Sequence, residues 1–227
     1  MKVFYRMSSN SFPKKKIAWA TKEYCLRNFL TQFPTENIVL IADNLDSGLY
    51  QFVRQFGFYR TEKTSFGNAK SFRYVLQEAI TFPDSELVYF VEDDYLHRDG
   101  SKLALEEAMQ VSSYATLYDH PDKYVNFTDG GPNPFIADGG EVTRLILTKS
   151  SHWKMTNSTT MTFATTVRTL KEDYDIFNVH TQEDCPTDFN LFCDLRHAGR
   201  RLVSSVPGLS THVEIDNLSP IIRWEKV

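Results

Sequence analysis

Three acids stand in a row at Glu92, Asp93 and Asp94, directly after the apolar run LVYFV at residues 87–91. Five apolar residues bounded by polar sequence are the mark of a short, fully buried strand of a mostly parallel sheet. Side chains alternate along an extended chain, so Glu92 and Asp94 face one way and Asp93 the other. Two carboxylates therefore converge where a buried strand ends, and in open α/β sheets that edge is where ligands bind. Clustered carboxylates repel one another unless a cation or a proton relieves them, and a hard divalent ion is the economical solution. The plainer alternative is a solvated acidic turn after a core strand.

A second constellation lies in residues 182–212, QEDCPTDFNLFCDLRHAGRRLVSSVPGLSTH. Pro186 and Thr187 suit a helix start, and Phe189, Leu191, Phe192, Leu195 and Ala198 continue a helix that Gly199 ends. Asp188 falls in its first turn, where the helix dipole favours a carboxylate; capping alone is a sufficient structural reason for it. Glu183 and Asp184 share that explanation. Residues 202–206 form another strand, Pro207 and Gly208 turn the chain, and Ser210, Thr211 and His212 follow. A single His is more often a satisfied polar residue than a ligand, but the place of His212, after a strand and behind a turn, raises it as a candidate third metal ligand. His97, His120, His152, His180 and His197 have no such context and read as structural.

The positioning elements begin with a strand at residues 2–7 and a polar turn at 8–16. Apolar side chains at Trp19, Tyr24, Leu26, Phe29 and Leu30 give a helix over 17–33, stopped by Pro34. NIVLIA at 37–42 is a second buried strand, ending in Asp43 and Asn44. A short helix at 49–56 closes at Gly57, a polar segment covers 61–68, and a helix runs from 69 or 70 to 82. This βαβα(β)αβ opening predicts a doubly wound parallel sheet. Strand ends deliver Ser8, Asp43, Glu92 and Asp94 to one edge, where a nucleotide could be held; Asp43 alone is equally a turn or helix cap.

Further on, periodicity predicts a helix over 100–113. The segment DGGPNPFIADGG at 129–140 holds four of the ten glycines and two of the nine prolines, a loop that closes over a ligand or merely connects. Strands follow at 142–147 and 159–167, with Ser151, His152 and Trp153 at the bend between them. Residues 169–178 read as helical with Lys171, Glu172, Asp173 and Asp175 on a solvated face. From residue 217 the tail either stays mobile or folds back over the site.

The chain of 227 residues is 41% hydrophobic and 14% aromatic, which suits a globular protein with an ample core. A net charge of −4, with no basic block beyond Lys14, Lys15 and Lys16, argues against nucleic acid as a partner. No run approaches the length of a membrane span, and the start MKVFYRMSS lacks a signal-peptide pattern. Cys25, Cys185 and Cys193 are odd in number, without CxxC spacing, and read as reduced thiols; a cytoplasmic location is expected. The sequons at Asn126 and Asn157 then carry no glycan.

The order of parts resembles the GT-A fold glycosyltransferases of the family 2-like kind over about residues 1–215. VYFVEDDY and the stretch 187–212 carry the resemblance most specifically. It implies a GT-A type α/β fold: a Rossmann-like, mostly parallel central sheet flanked by helices, with a smaller mixed sheet on the acceptor side. One domain over 1–215 is expected, with a nucleotide-binding half at 1–98, an acceptor half at 99–215 and a tail at 216–227. Glu92 and Asp94 match the first and last places of the DxD-type motif, although Glu stands for the usual first Asp. The resemblance implies that Asp94 binds Mn2+ or Mg2+, with His212 as the late histidine that reaches the metal or diphosphate, and that Glu92 contacts the ribose or a metal-bound water. Asp93 is counted with the residues that bind the nucleotide sugar.

Family members commonly place an acid eleven positions before the helix-ending Gly, which selects Asp188 as base, with Asp184, fifteen away, second. Asp43 looks like the acceptor from the nucleotide base. The ARNxG stretch of the family is missing; NAKSFRYVL stands there instead, and Asn68, Lys70 and Arg73 are the candidates for diphosphate or ribose. Ser8 joins them at the first strand's end. An exposed Trp153 would stack an acceptor sugar, whereas a buried one would be structural. The implied reaction moves a sugar from a nucleotide-diphosphate donor, UDP-sugar favoured, to a hydroxyl of a glycan or other acceptor. Inversion is the default and retention stays open. The rival readings are a sugar nucleotidyltransferase, which places a Gly-rich basic loop where MSSNSFPKKK has no glycine, and a non-catalytic sugar-binding domain of the same fold.

Overall fold

A computed structural model describes residues 1–10 and 14–227. Part of the polar turn expected over 8–16 therefore lies outside the described residues. In chain order the elements are β1 (Lys2–Ser8), α1 (Lys22–Gln32), β2 (Ile38–Asp43), α2 (Ser47–Val53), β3 (Arg60–Thr64), α3 (Asn68–Ala79), β4 (Leu87–Glu92) and β5 (Tyr95–His97). They continue with α4 (Ser101–Ala108), β6 (Tyr114–Thr116), β7 (Leu145–Leu147), β8 (His152–Met155), β9 (Phe163–Thr166), α5 (Val167–Glu172), α6 (Tyr174–Val179), α7 (Asp188–His197), β10 (Leu202–Val206) and β11 (Ser210–His212). The fold is α/β, a large central sheet flanked by helices with a small second sheet. Strand order in the large sheet is β3-β2-β1-β4-β9-β6-β10-β8-β7, and β11 pairs with β5 in the small one.

The first four strands of that order are parallel, whereas β9 is antiparallel to both β4 and β6. Apart from β11, the strands of the second half extend the same large sheet, and the separate small sheet is the antiparallel pair of β11 and β5.

Burial on both faces follows from the period of two. Val3, Tyr5, Ile38, Leu40, Tyr89 and Val91 pack with Leu26 and Phe29 of α1 and Leu105 of α4. Their alternates Phe4, Val39, Ile41, Val88 and Phe90 pack with Phe72, Val75 and Leu76 of α3 and with Leu191 and Leu195 of α7. Each of these strands is thus fixed in register, because a slip by one residue would exchange its two faces. The same alternation puts Arg6, Asp43 and Glu92 on the α3 face and sends Asp93 towards α1.

Differences from the sequence expectations have local causes. The polar segment 61–68 contains most of β3, an edge strand RTEKT whose exposure alternates and whose charges blunt the edge. The strands β5 and β6, three residues each, are too short for any period to show. The helix expected over 169–178 is two short helices that meet at Asp173, a buried acid that accepts from Tyr114 Oη at 2.6 Å and from Arg200 Nε at 2.8 Å. His152 and Trp153 lie within β8, not at a bend. The tail folds back, and Trp224 buries against Cys25, Leu96 and Val213 without lining the cleft at the strand ends. Among the described residues no helix is long and apolar enough to cross a membrane.

His97 is fully enclosed, 2.8 Å from Tyr89 Oη through Nε2, edge-on to Phe29 and Phe33, with Nδ1 lacking a partner. Burial lowers its pKa to about 3. Because the folded value lies below that of the unfolded chain, the neutral ring contributes stability that is fully present above about pH 6.5 and is lost as pH falls towards 3. Between pH 7 and pH 5 this should remove roughly 2 kcal/mol. Urea unfolding at both pH values should show a loss smaller by about that amount in His97→Gln than in the parent; equal losses would refute the assignment.

Candidate functional site

A cleft of about 450 Å³ opens at the C-terminal ends of β1, β2 and β4. Ten of the residues expected at the site line it: Ser8, Asp43, Asn68, Lys70, Glu92, Asp93, Asp94, Asp184, Asp188 and His212. Residues far apart in sequence are thereby brought to one edge.

Asp43 is buried and organises the cleft wall. Its Oδ1 accepts from Thr64 Oγ1 at 2.8 Å and Phe66 N at 2.6 Å, and its Oδ2 from Gly67 N at 2.9 Å and Asn44 Nδ2 at 3.0 Å. These four bonds fill the capacity of a carboxylate. In this arrangement Asp43 shapes the β3–α3 turn, and the expected free acceptor for a nucleobase is not what its oxygens present. The turn needs Gly67 at φ +82°, a conformation that favours glycine, and it aims the N-terminus of α3 into the cleft beside Lys70.

Each of the three adjacent acids meets a cation from a different element. Glu92 accepts from Arg6 Nη2 at 3.0 Å, its register neighbour on β1. Asp93 accepts from Lys22 Nζ at 2.6 Å and Ser8 N at 2.8 Å. Asp94 Oδ2 lies 2.8 Å from Lys16 Nζ and 3.2 Å from His212 Nε2. Burial pushes the Glu92 carboxyl up against the pull of Arg6, and the Asp93 carboxyl up against that of Lys22. For Asp94 burial acts in the same direction, but His212 and Lys16 outweigh it and hold the carboxyl well below the usual range.

Pairing of β11 with β5 sets His212 opposite Tyr95, and Val213 N donates to Asp94 O at 2.9 Å. His212 Nδ1 accepts from Glu214 N at 3.2 Å, which leaves the Nε2–H for Asp94. Glu214 Oε1 lies 3.7 Å from His212 Nε2 and pairs with Lys14. Among the described residues no three His, Cys, Asp or Glu side chains stand ready as a metal cage. A divalent ion could take the hard oxygens of Asp94 when substrate phosphates complete its shell, and His212 would join it through Nε2 only after giving up the Nε2 proton and the Glu214 N–H bond at Nδ1.

Asp188 begins α7, where Oδ1 accepts from Phe189 N at 3.0 Å. Burial raises its pKa above the ordinary carboxylate range. Asp184 sits on the exposed approach to α7, and its carbonyl accepts from Ala69 N at 3.2 Å, joining that segment to the start of α3.

Two expected residues stand elsewhere. Arg73 turns its guanidinium to the Thr181 carbonyl and does not line the cleft. Trp153 is wholly buried in β8, with Nε1 donating to Thr148 Oγ1 at 3.1 Å, so it offers no stacking face. Sequence reasoning missed Arg6, Lys14 and Lys16. Arg6 was legible in principle: a lone cation inside VFYRM must be paired when buried, and it is only 7% exposed, bonded also to Asn68 Oδ1 at 3.1 Å and Ser71 Oγ at 3.2 Å.

No family model and no curated protein matches the sequence. Among solved structures the chain is similar to GalNAc-T7 with UDP, GalNAc and Mn2+, with a TM-score of 0.57 at 12% identity, over 92% of this chain and 42% of that one. It spans, therefore, less than half the length of that protein. It is also similar to a 4-diphosphocytidyl-2C-methyl-D-erythritol synthase from Anaerococcus prevotii, with a TM-score of 0.52 at 11% identity, over 99% of this chain and 92% of that one. At such identities the likeness is one of fold, and the fold is GT-A-like.

Proposed function

We propose that the protein is a glycosyltransferase of the GT-A, family 2-like kind that moves a sugar from a nucleoside-diphosphate donor, UDP-sugar favoured, to a hydroxyl of a glycan or other acceptor. The observation that supports it best is the meeting of Asp94, Asp188 and His212 in one cleft at the strand ends. In this reading the N-terminus of α3, Lys70 and Asn68 hold the diphosphate, and Arg6 keeps Glu92 oriented beside the ribose. Asp94 and His212 would hold Mn2+ or Mg2+, which when bound neutralises charge on the leaving diphosphate. Asp188 takes the proton of the attacking hydroxyl; its raised pKa makes it a better proton acceptor than a solvated carboxylate, and single displacement with inversion follows.

The second reading, a sugar nucleotidyltransferase, has a fold neighbour in its favour. The loop after β1 lacks the glycines such enzymes use, and Asp188 would have no role in attack by a phosphate. Product analysis separates the two: nucleoside diphosphate release from a nucleotide sugar supports glycosyl transfer, and pyrophosphate release from a nucleoside triphosphate supports the rival.

Three outcomes are expected. Asp188→Asn should lower kcat by about a thousandfold while UDP affinity measured by calorimetry stays within about twofold of the parent. The acid limb of the parent's kcat/KM should lie above the ordinary Asp value, since the base form is lost as pH falls through a raised pKa. Asp94→Asn and His212→Ala should each abolish the extra rise in melting temperature that Mn2+ gives with UDP. An undiminished rise in both variants would move the metal elsewhere.

A further inference from the structure

With Trp153 buried, the acceptor side needs another surface, and the exposed aromatics mark one. Phe135 is 66% exposed, and its ring stacks on that of Phe189 with centroids 6.1 Å apart and planes 19° from parallel. Phe189 follows Asp188 in the first turn of α7, so the pair is tied through the start of that helix to an acid that lines the cleft.

An exposed ring on a glycine-rich loop would ordinarily be mobile, but this one is clamped on both sides. Its own N–H donates to Asn133 Oδ1 at 3.2 Å. Asn133 is buried and exchanges two amide hydrogen bonds of 3.1 Å with Asn157. Ile136 is also buried, and its carbonyl accepts from Phe127 N at 3.0 Å. Pro134 stiffens the remaining link. A large apolar ring held in place yet left in water is a feature of binding surfaces.

We infer that Phe135 and Phe189 form a shelf for the C–H face of a neutral pyranose in the acceptor, an inference that rests on the glycosyl-transfer reading. Shape and charge select that occupant. The exposed phenyl face of Phe135 is planar and suits the flat C–H face of a pyranose. Asp188, next to Phe189 in α7, and Asp184, on the approach to that helix, accept hydrogen bonds from hydroxyls and repel anions. A ring with an apolar face and a rim of hydroxyls satisfies both at once.

Saturation-transfer NMR on the full chain with a panel of methyl glycosides, including methyl β-glucopyranoside, tests the shelf without requiring turnover. The parent should saturate the C–H protons of one sugar face, Phe135→Ala should lose at least about fivefold of that signal, and Phe135→Trp should retain it. UDP affinity should be equal in all three, which also reports that the variants are folded. With an active acceptor, Phe135→Ala should raise the acceptor KM about tenfold, corresponding to about 1.4 kcal/mol, and leave the donor KM unchanged. Equal sugar saturation in parent and Phe135→Ala, or no saturation with any glycoside, overturns the shelf. Sugar contact at Phe135 in a protein that releases no nucleoside diphosphate would overturn the transfer reading instead.

Discussion

Three consecutive carboxylates are packed into the end of a buried strand, and each stays there because a different element brings it a cation. Arg6 comes from the neighbouring strand, Lys22 from the first residue of α1, and Lys16 from the segment before that helix. Left unpaired, each acid would face a desolvation cost of several kcal/mol in addition to repulsion from its neighbours. The pairs therefore constrain where β1, α1 and the 14–16 segment can lie. They also explain why the cleft wall is built from the earliest part of the chain although the acids come from β4.

The second constraint is the organisation of backbone around the cleft by side chains that do not point into it. Asp43 uses both oxygens on the β3–α3 turn, and Arg73 anchors the middle of α3 to the Thr181 carbonyl. The Ala69 N–H to Asp184 carbonyl bond then couples the start of α3 to the approach to α7. Through these links Lys70 and Asp188, which both line the cleft, keep a fixed relation although no strand connects them. Preorganisation of this kind leaves fewer groups to order when a ligand binds.

The parallel strands and the acid-bearing edge were legible because alternation and buried runs report both faces of a sheet directly. NIVLIA and LVYFV could hardly be anything else, and the acids that follow them had to emerge at the same edge. The partners of those acids were not legible. Lys16 and Lys22 have no periodicity that marks them, and Arg6 looked like an interruption of a strand until the register placed it opposite Glu92. Trp153 shows the opposite failure. Its neighbours Ser151 and His152 suggest a bend, yet β8 pairs with β10 and β7 on either side and the indole sits in the core cluster with Leu105 and Val203. β3 escaped because its stability comes from backbone pairing with β2 and from charge on an edge, neither of which leaves a hydrophobic trace.

Two acids of the cleft are pushed in opposite directions, and the division of labour proposed for them follows from that. Asp94 is held ionised by Lys16 and His212 in spite of burial, so it persists as a negative charge over the working range and suits cation binding. Asp188 has no ion-pair partner within 4 Å among the described residues, and burial raises its pKa. Where environments separate the proton affinities of two carboxyls, the one held low is the electrostatic group and the one raised is the proton carrier. His212 reinforces the split, since its Nδ1 is engaged by the Glu214 N–H and its Nε2 by Asp94, whereas Asp188, whose Oδ1 accepts from the Phe189 N–H, keeps proton-accepting capacity, as does the exposed Asp184 on the approach to α7.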